Sequence, residues 1–283
     1  MNKLGGTGLW NEEDGFYYDQ IRTKGKNIPL KVRSLVGIMP LIAVEVMQTE
    51  LIDKLPGFKK RMNWFLKNRS DMAQHISFNP DPQNPKNTLA MLAIVSKERL
   101  ARIMQYLVSE EEFLSGFGIR SLSKFHEKQP FSLKIAGQDF GVSYVPGESN
   151  TTLFGGNSNW RGPVWFPISY LLIEALERFD YFYGDSFKVE CPIGSKKFMR
   201  LKDVAQEISL RMTLLFHKDQ DGNRPCHAGH ALYREDEHWK DLILFYEYFH
   251  GDTGKGLGAS HQTGWTALVT RCLEKVIWAR GEK

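Results

Sequence analysis

Apolar residues recur three or four positions apart along most of the chain, which is the spacing of an amphipathic helix. Seven stretches carry this pattern: 34–55, 57–69, 87–114, 162–184, 201–217, 236–250 and 264–280. Pro40 predicts a kink in the first of them. Ser96, followed by Lys97 and Glu98, matches a helix start and divides the third stretch into one or two helices.

Strand patterns are confined to two short pieces, residues 131–137 and 140–146. Helices that follow one another in pairs, with long loops between them, predict an all-α architecture. Such helical hairpins form either a closed barrel or a right-handed solenoid. The absence of an internal sequence repeat favours the barrel.

The composition is that of an ordinary globular protein, with 42% hydrophobic and 25% charged residues in 283 positions. This length suffices for one large domain or two small ones. The formal net charge of +4 is small, and the basic residues are dispersed among acidic ones. Over the whole chain, the charge therefore indicates neither a nucleic-acid nor a membrane partner.

The spacing of the cysteines and the length of the apolar runs indicate the cellular compartment. Cys191, Cys226 and Cys272 are odd in number and far apart, which argues against a disulfide framework or a thiolate metal site. The first residues lack the apolar run of a signal peptide, and no stretch approaches the roughly 18 apolar residues of a membrane span. We therefore expect a cytoplasmic protein without a membrane span.

Glu247 is the most informative single residue. It stands among four aromatic residues, Phe245, Tyr246, Tyr248 and Phe249, and precedes a glycine-rich loop that ends before Trp265. An acid in such a place is commonly a solvated helix end before a turn. Aromatic rings with polar edges are also what sugar-binding clefts use, because a pyranose presents an apolar face and a rim of hydroxyls. Both readings stay open at this point.

Three other segments have compositions suited to a ligand. Residues 154–167 place Arg161 after Trp160 and before Trp165, although glycine, asparagine and proline there also fit a turn with tryptophans in the core. Near the start, Trp10 and Asp14 belong to an acidic and aromatic cluster that can equally be a solvated turn. Arg120 follows a glycine-containing turn.

No motif predicts a metal or another cofactor. Asp219 and Asp221 open like a calcium loop but lack the remaining ligand spacing, so a turn is the better interpretation. His227 and His230 are three apart beside a cysteine, without further ligands at suitable spacing for zinc.

Five segments in order, 9–19, 30–41, 113–126, 146–179 and 242–269, resemble the C-terminal catalytic region of glycoside hydrolase family 63. The pieces "NWRGPVW" and "FYEYF", with the following "GLGASHQTGW", are the most specific. This family holds processing α-glucosidase I and microbial α-glucosidase relatives. The resemblance implies that residues 1–283 are part of a single catalytic domain of the (α/α)6 toroid type.

The resemblance also implies an activity and a set of roles. Glu247 matches the family's general base for hydrolysis of α-glucosidic bonds in oligosaccharides with inversion. Because the surrounding rings would raise its pKa, we expect a compensating hydrogen bond or cation, with Arg161 as one candidate. Trp160, Arg161 and Trp165 match substrate-binding positions, and Trp10, Asp14 and Arg120 match less specifically. A non-catalytic carbohydrate-binding or structural remnant is the alternative.

One departure concerns the proton donor. The family's general acid is an aspartate that aligns upstream of residue 9, whereas this sequence begins only eight residues before it. A barrel of twelve helices with functional loops takes on the order of 350 residues. We therefore expect the C-terminal part of a barrel, with the acid upstream. Asp14 is a weaker local alternative for that acid.

Overall fold

The computed structural model describes residues 8–23, 26–73, 76–81, 84, 87–135, 137–150 and 162–280. Within them, the α-helices are α1 (Thr49–Asp53), α2 (Pro56–Asn68), α3 (Ser70–Ala73), α4 (Lys97–Leu107), α5 (Phe125–Lys128), α6 (Phe166–Tyr183), α7 (Leu201–Leu214), α8 (Leu232–Glu235), α9 (Thr263–Thr266) and α10 (Val269–Arg280). Short 3-10 helices cover Leu35–Gly37, Met39–Ile42, Gly184–Ser186 and Pro225–His227. No helix of the described residues is long and apolar enough to cross a lipid bilayer.

The strands are short and pair antiparallel. They are β1 (Trp10–Asn11), β2 (Phe16–Tyr17), β3 (Asp19–Thr23), β4 (Lys26–Leu30), β5 (Val44–Gln48), β6 (Ile76–Pro80), β7 (Thr88–Ala93), β8 (Leu114–Ser115), β9 (Gly118–Ile119), β10 (Phe131–Ile135), β11 (Gln138–Val142), β12 (Lys188–Glu190), β13 (Phe198–Arg200), β14 (Tyr248–Phe249) and β15 (Gly256–Leu257). Most form two-stranded hairpins of consecutive strands, while β7 lies between β5 and β6 in a three-stranded sheet.

The helical core is built by α6, α7 and α10, with α7 packed against both of the others. α6 begins at Phe166, with Pro167 in its first turn, and ends at Gly184, whose φ of 52° suits glycine. Its buried side chains, including Leu172, Leu176 and Phe179, join those of α7 in one hydrophobic cluster. This pair supports the segment that leads into α6, where candidate site residues lie.

Three predicted helices are confirmed as continuous elements or nearly so. The stretches 57–69, 162–184 and 201–217 correspond to α2, α6 and α7 within a few residues at each end, and the stretch 264–280 is divided into α9 and α10. Ser96 is the N-cap of α4, and its hydroxyl accepts a hydrogen bond from the backbone N–H of Arg99 at 3.3 Å. The strand pieces at 131–137 and 140–146 are confirmed as part of the β10–β11 hairpin.

The prediction of an all-α chain is not confirmed, because strands replace helix in three of the periodic stretches. Residues 34–55 form two 3-10 turns, β5 and α1, and the first part of 87–114 is β7, which pairs with β5 from Val44↔Ala93 to Gln48↔Leu89. Residues 236–250 are mostly turn and loop with β14 at their end. β-branched residues and long-range pairing outweighed the local apolar spacing.

Candidate active site

Four separate segments meet in a backbone ladder that no single hairpin provides. Leu35 donates its N–H to the carbonyl of Ser121 at 2.9 Å, and Ser121 donates to Pro163 at 2.9 Å. Val164 and Phe249 exchange two hydrogen bonds, at 2.8 and 3.0 Å. The segment of Arg120 and Ser121, the segment leading into α6 and the Glu247 segment are thus brought together.

Glu247 lies directly before β14, and both its backbone N–H and its backbone carbonyl form hydrogen bonds. Its N–H donates to the carbonyl of Ala259 at 2.8 Å, and its own carbonyl accepts from the indole N–H of Trp265 at 3.2 Å. The carboxylate oxygen Oε2 accepts the backbone N–H of Ala259 at 3.1 Å. The side chain is half-buried. The carboxylate is therefore fixed by a hydrogen bond and remains partly accessible to solvent.

An aromatic wall stands beside this carboxylate. Trp165 stacks on Tyr248 with ring centroids 4.7 Å apart and meets Trp265 edge to face at 6.2 Å. Trp165 is only 3% exposed, whereas Trp265 is half-buried. Burial raises the pKa of the Tyr248 phenol, and its hydroxyl donates to Glu148 at 2.7 Å. The partly accessible ring of Trp265 therefore rests on the buried ring of Trp165, which Tyr248 backs from the interior.

Gly258 determines how closely the loop approaches the carboxylate. Its φ is +68°, and a Cβ at this position would lie 2.6 Å from Glu247 Oε2 and 2.8 Å from Tyr248 Cε1. Glycine is required here both by the left-handed backbone and by the space. The loop from Gly254 to Ala259 can thus reach Glu247 with its backbone N–H.

Arg120 is buried under the site. Its Nε donates to Tyr144 Oη at 3.0 Å, one terminal nitrogen donates to Asp252 at 3.1 Å, and the other to the carbonyl of Leu114 at 2.6 Å. Tyr144 also donates to Asp252 at 3.0 Å. Direct contact between Arg120 and a sugar stays a prediction, and in this structure its guanidinium ties the loop after β14 to the core.

Trp10 and Asp14 belong to the β1–β2 hairpin. Arg99 lies over the Trp10 ring at 4.8 Å, and Tyr17 packs against it at 4.8 Å. Asp14 forms an ion pair with Lys31 at 3.0 Å, and its carbonyl accepts from Tyr106. The contacts recorded for these two residues in the described part of the chain do not include the Glu247 segment. Their substrate-binding role stays a prediction.

Two of the sequence-predicted site residues, Trp160 and Arg161, lie outside the described residues. Two residues of the site were not predicted: Glu148, which accepts from Tyr248, and Asp252, which accepts from Arg120 and Tyr144. The available signal was weak: each stands beside a glycine, and only Asp252 follows an aromatic run.

His227 lies in the 3-10 turn Pro225–His227, near the site. It is 4% exposed, its ring lies 4.3 Å from that of Tyr233, and neither ring nitrogen has a hydrogen-bond partner among the described residues. Burial, followed by the positive Arg224, lowers the pKa of His227 to about 4. The imidazole is therefore neutral near pH 7.

A family model identifies the chain. The model of the mannosylglycerate hydrolase MGH1-like glycoside hydrolase domain matches residues 88–266, which is more than half of the sequence and includes Glu247, Trp165 and Arg120. The chain belongs to this family. The resemblance to glycoside hydrolase family 63 is confirmed, and the site described above lies within a glycoside hydrolase domain.

Relatives of this glycoside hydrolase domain are much longer proteins. An uncharacterised protein of Saccharomyces cerevisiae is 48% identical over 95% of this chain and 25% of its own length. The mannosyl-oligosaccharide glucosidase of that yeast is 26% identical over 62% of this chain and 15% of its own length. A probable mannosyl-oligosaccharide glucosidase of Schizosaccharomyces pombe is 22% identical over 81% and 24%, respectively. The chain thus spans a quarter or less of each.

Among solved structures, the family 63 mannosylglycerate hydrolase of Thermus thermophilus in complex with glucose is similar to this glycoside hydrolase domain. The identity is 17%, the match covers 96% of this chain and 35% of that chain, and the TM-score is 0.39. A TM-score this low does not establish a shared fold.

Proposed function

We propose that this glycoside hydrolase domain hydrolyses α-glucosidic bonds of oligosaccharides with inversion of configuration, with Glu247 as the general base. In this reaction Glu247 takes a proton from water while the water oxygen bonds to the anomeric carbon. The glycosidic C–O bond breaks, and a general acid gives a proton to the departing oxygen. Water fits between two carboxyl groups roughly 6.5–9.5 Å apart.

One observation carries this proposal: the carboxylate of Glu247 is held by the Ala259 N–H beside the wall of Trp165, Tyr248 and Trp265. The hydrogen bond from the backbone N–H fixes one carboxylate oxygen in place. Of the three rings, Trp265 is the partly accessible one and offers an apolar face on which a pyranose can stack, while Trp165 and Tyr248 support it from the interior. A solvated helix end needs neither feature.

The remaining parts of the proposal follow the resemblance. The general acid is proposed to lie N-terminal to residue 1, in a longer protein of which residues 1–283 form part of an (α/α)6 toroid. The names of the mannosyl-oligosaccharide glucosidase and of the probable one support a glucosidic bond, and the α configuration follows the resemblance to family 63. Trp160, Arg161 and Trp165 are proposed to surround the sugar next to the scissile bond, with Trp10, Asp14 and Arg120 further out. The proposed chemistry uses no metal.

Glu247→Gln tests the assignment in the longer protein that carries the acid. The amide keeps the shape of the side chain but cannot take a proton from water, so we expect kcat on an α-glucoside to fall by roughly 10²–10⁴. Substrate binding, measured by titration calorimetry, should change little.

Glu235→Gln is the matched control, because Glu235 is an exposed glutamate at the end of α8. It should leave kcat unchanged. Equal rates for the Glu247→Gln variant and the parent protein would contradict the assignment. Robust hydrolysis by residues 1–283 alone would point instead to a local acid such as Asp14.

A further inference from the structure

The connection between β5 and β6 is a helical arm, residues 49–73, made of α1, α2 and α3. β5 and β6 are the outer strands of the three-stranded sheet, so the arm leaves one edge of the sheet and returns at the other. α2 packs mainly against α1 and α3 of the same arm. None of its 13 residues is buried. A helix of this length is marginal in water unless it buries one face against the rest of the protein. α2 therefore lacks most of the burial that normally stabilises a helix.

The arm exposes large apolar side chains. Trp64 is 61% and Leu55 57% exposed, and Leu51 and Phe58 are exposed as well. Met62, Phe65 and Leu66, by contrast, are half-buried. A single face of α2 is therefore turned to the rest of the protein, and its outer face is free to meet a surface.

Cations surround the exposed tryptophan. Residues 54–69 contain six basic residues and no acidic one: Lys54, Lys59, Lys60, Arg61, Lys67 and Arg69. Lys60, Arg61 and Lys67 stand four before, three before and three after Trp64, so they are its neighbours on the helix surface. Within the described residues, these three form no ion pair. Lys59 and Lys54 pair with Asp53 and Glu50.

We propose that the helical arm docks on an anionic membrane surface, with Trp64 at the depth of the lipid headgroups and Lys60, Arg61 and Lys67 against them. A basic helix with an exposed tryptophan binds at such an interface, without spanning the bilayer. The charge complementarity selects acidic lipid. Leu51, Leu55 and Phe58 line a hollow beside Val46 and Tyr181 on the inner side of the arm, so the outer face meets the lipid through Trp64 and its cations. A protein that wraps around a helix needs the face occupied by Phe65 and Leu66.

Co-sedimentation of residues 1–283 with phosphatidylcholine vesicles, with and without about 30% phosphatidylserine, tests this docking. We expect binding only to the acidic vesicles, weakened by salt. Lys60→Glu with Arg61→Glu should weaken it by about tenfold or more, because each surface cation contributes measurably to such binding. Vesicles should also shift the tryptophan fluorescence maximum to shorter wavelengths, and Trp64→Phe should abolish that shift.

The β12–β13 hairpin offers a matched control, since Lys196 and Lys197 are exposed beside Phe198, which is 69% exposed. Lys196→Glu with Lys197→Glu should leave vesicle binding unchanged. Equal effects of the two charge reversals, or equal binding to both kinds of vesicle, would overturn the proposal. So would tighter binding to single-stranded RNA than to acidic vesicles at the same salt concentration, or vesicle binding that persists while Trp64 fluorescence stays unshifted.

Discussion

At the scale of single residues, the geometry of the site depends on Gly258, because glycine has no side chain. Gly258 lets the loop backbone come within hydrogen-bonding reach of Glu247, and a Cβ there would overlap the carboxylate oxygen. The carboxylate is the end of a flexible side chain and can move, whereas the buried ring of Tyr248 at 2.8 Å and Glu247 Cβ at 2.9 Å cannot, so the loop would shift as well. A methyl group in place of one hydrogen at Gly258 therefore alters the position of the proposed base.

Gly258→Ala should accordingly reduce hydrolysis by roughly tenfold to 10²-fold, since a displacement of about 1 Å in a reacting group has effects of that size. The measurement is kcat of a protein that contains residues 1–283 together with the proposed upstream acid. Gly194→Ala is the matched control: its φ is +90°, and nothing lies within 4 Å of the added Cβ. It should lower the free energy of unfolding by about 1 kcal/mol through backbone strain alone and leave kcat unchanged. Equal activity losses in both variants would refute the steric explanation.

His227 should make the protein sensitive to acid. Its pKa is about 4 in the folded state and 6.5 as the ordinary value, so the unfolded chain binds more protons between these pH values. Its stabilising contribution is complete above pH 6.5 and is lost as the pH falls towards 4. The loss is at most about 3 kcal/mol.

Urea unfolding at several pH values measures this dependence. His227→Phe keeps a ring against Tyr233 and removes the titration, so it should flatten the stability curve between pH 6.5 and 4. His238→Phe, at an exposed histidine, should leave the curve as it is. An unchanged slope in His227→Phe would assign the acid sensitivity to other groups.

At the scale of elements, sequence periodicity predicted those helices whose neighbours are also helices. α6 and α7 were found because their apolar stripes face each other in the core. Residues 236–250 share that spacing, yet Tyr248 and Phe249 pair with β15 and Val164. Such pairing joins residues far apart in sequence, so no local pattern contains it. The assignment of Glu247 and Trp165 to the site stays a prediction from the sequence, whereas Glu148 and Asp252 act through long-range contacts that the sequence pattern did not indicate.

Asp252 should stabilise the hairpin that carries the proposed base. Arg120 is buried beneath it, so Asp252→Ala leaves a buried guanidinium without its carboxylate and should lower the free energy of unfolding by about 3 kcal/mol. Glu235→Ala removes the partner of Arg234 at the surface and should cost under about 1 kcal/mol. Urea unfolding monitored by fluorescence compares them. Similar costs for the two variants would show that Arg120 is solvated in solution.

At the scale of the whole molecule, three buried thiols report on the integrity of the core. Cys191, Cys226 and Cys272 have no disulfide partner, and burial raises the pKa of Cys191 to about 11 and of the other two to about 12. They belong to one hydrophobic cluster that includes residues from Phe16 to Cys272. The described chain therefore has one shared interior for the sheets and the helices.

All three thiols should stay unreactive towards an aromatic disulfide reagent at pH 8 in the native protein, because the thiolate is the reactive form and the sulfur is covered. They should react together when urea unfolds the chain, which follows from a single cooperative core. Early reaction of Cys272 alone would show that α10 opens separately. Mass spectrometry of the labelled peptides distinguishes these outcomes.

The backbone ladder from Leu35 through Ser121 and Pro163 to Phe249 also has a kinetic consequence. Each hydrogen-bonded contact of the ladder closes a long loop of the chain. The chain loses conformational entropy when the loop closes, and this cost precedes the gain from the contact. The helices can form early from neighbouring residues, whereas the proposed site around Glu247 forms only after the last closure. In refolding experiments, helical circular dichroism should therefore return before any capacity to bind sugar.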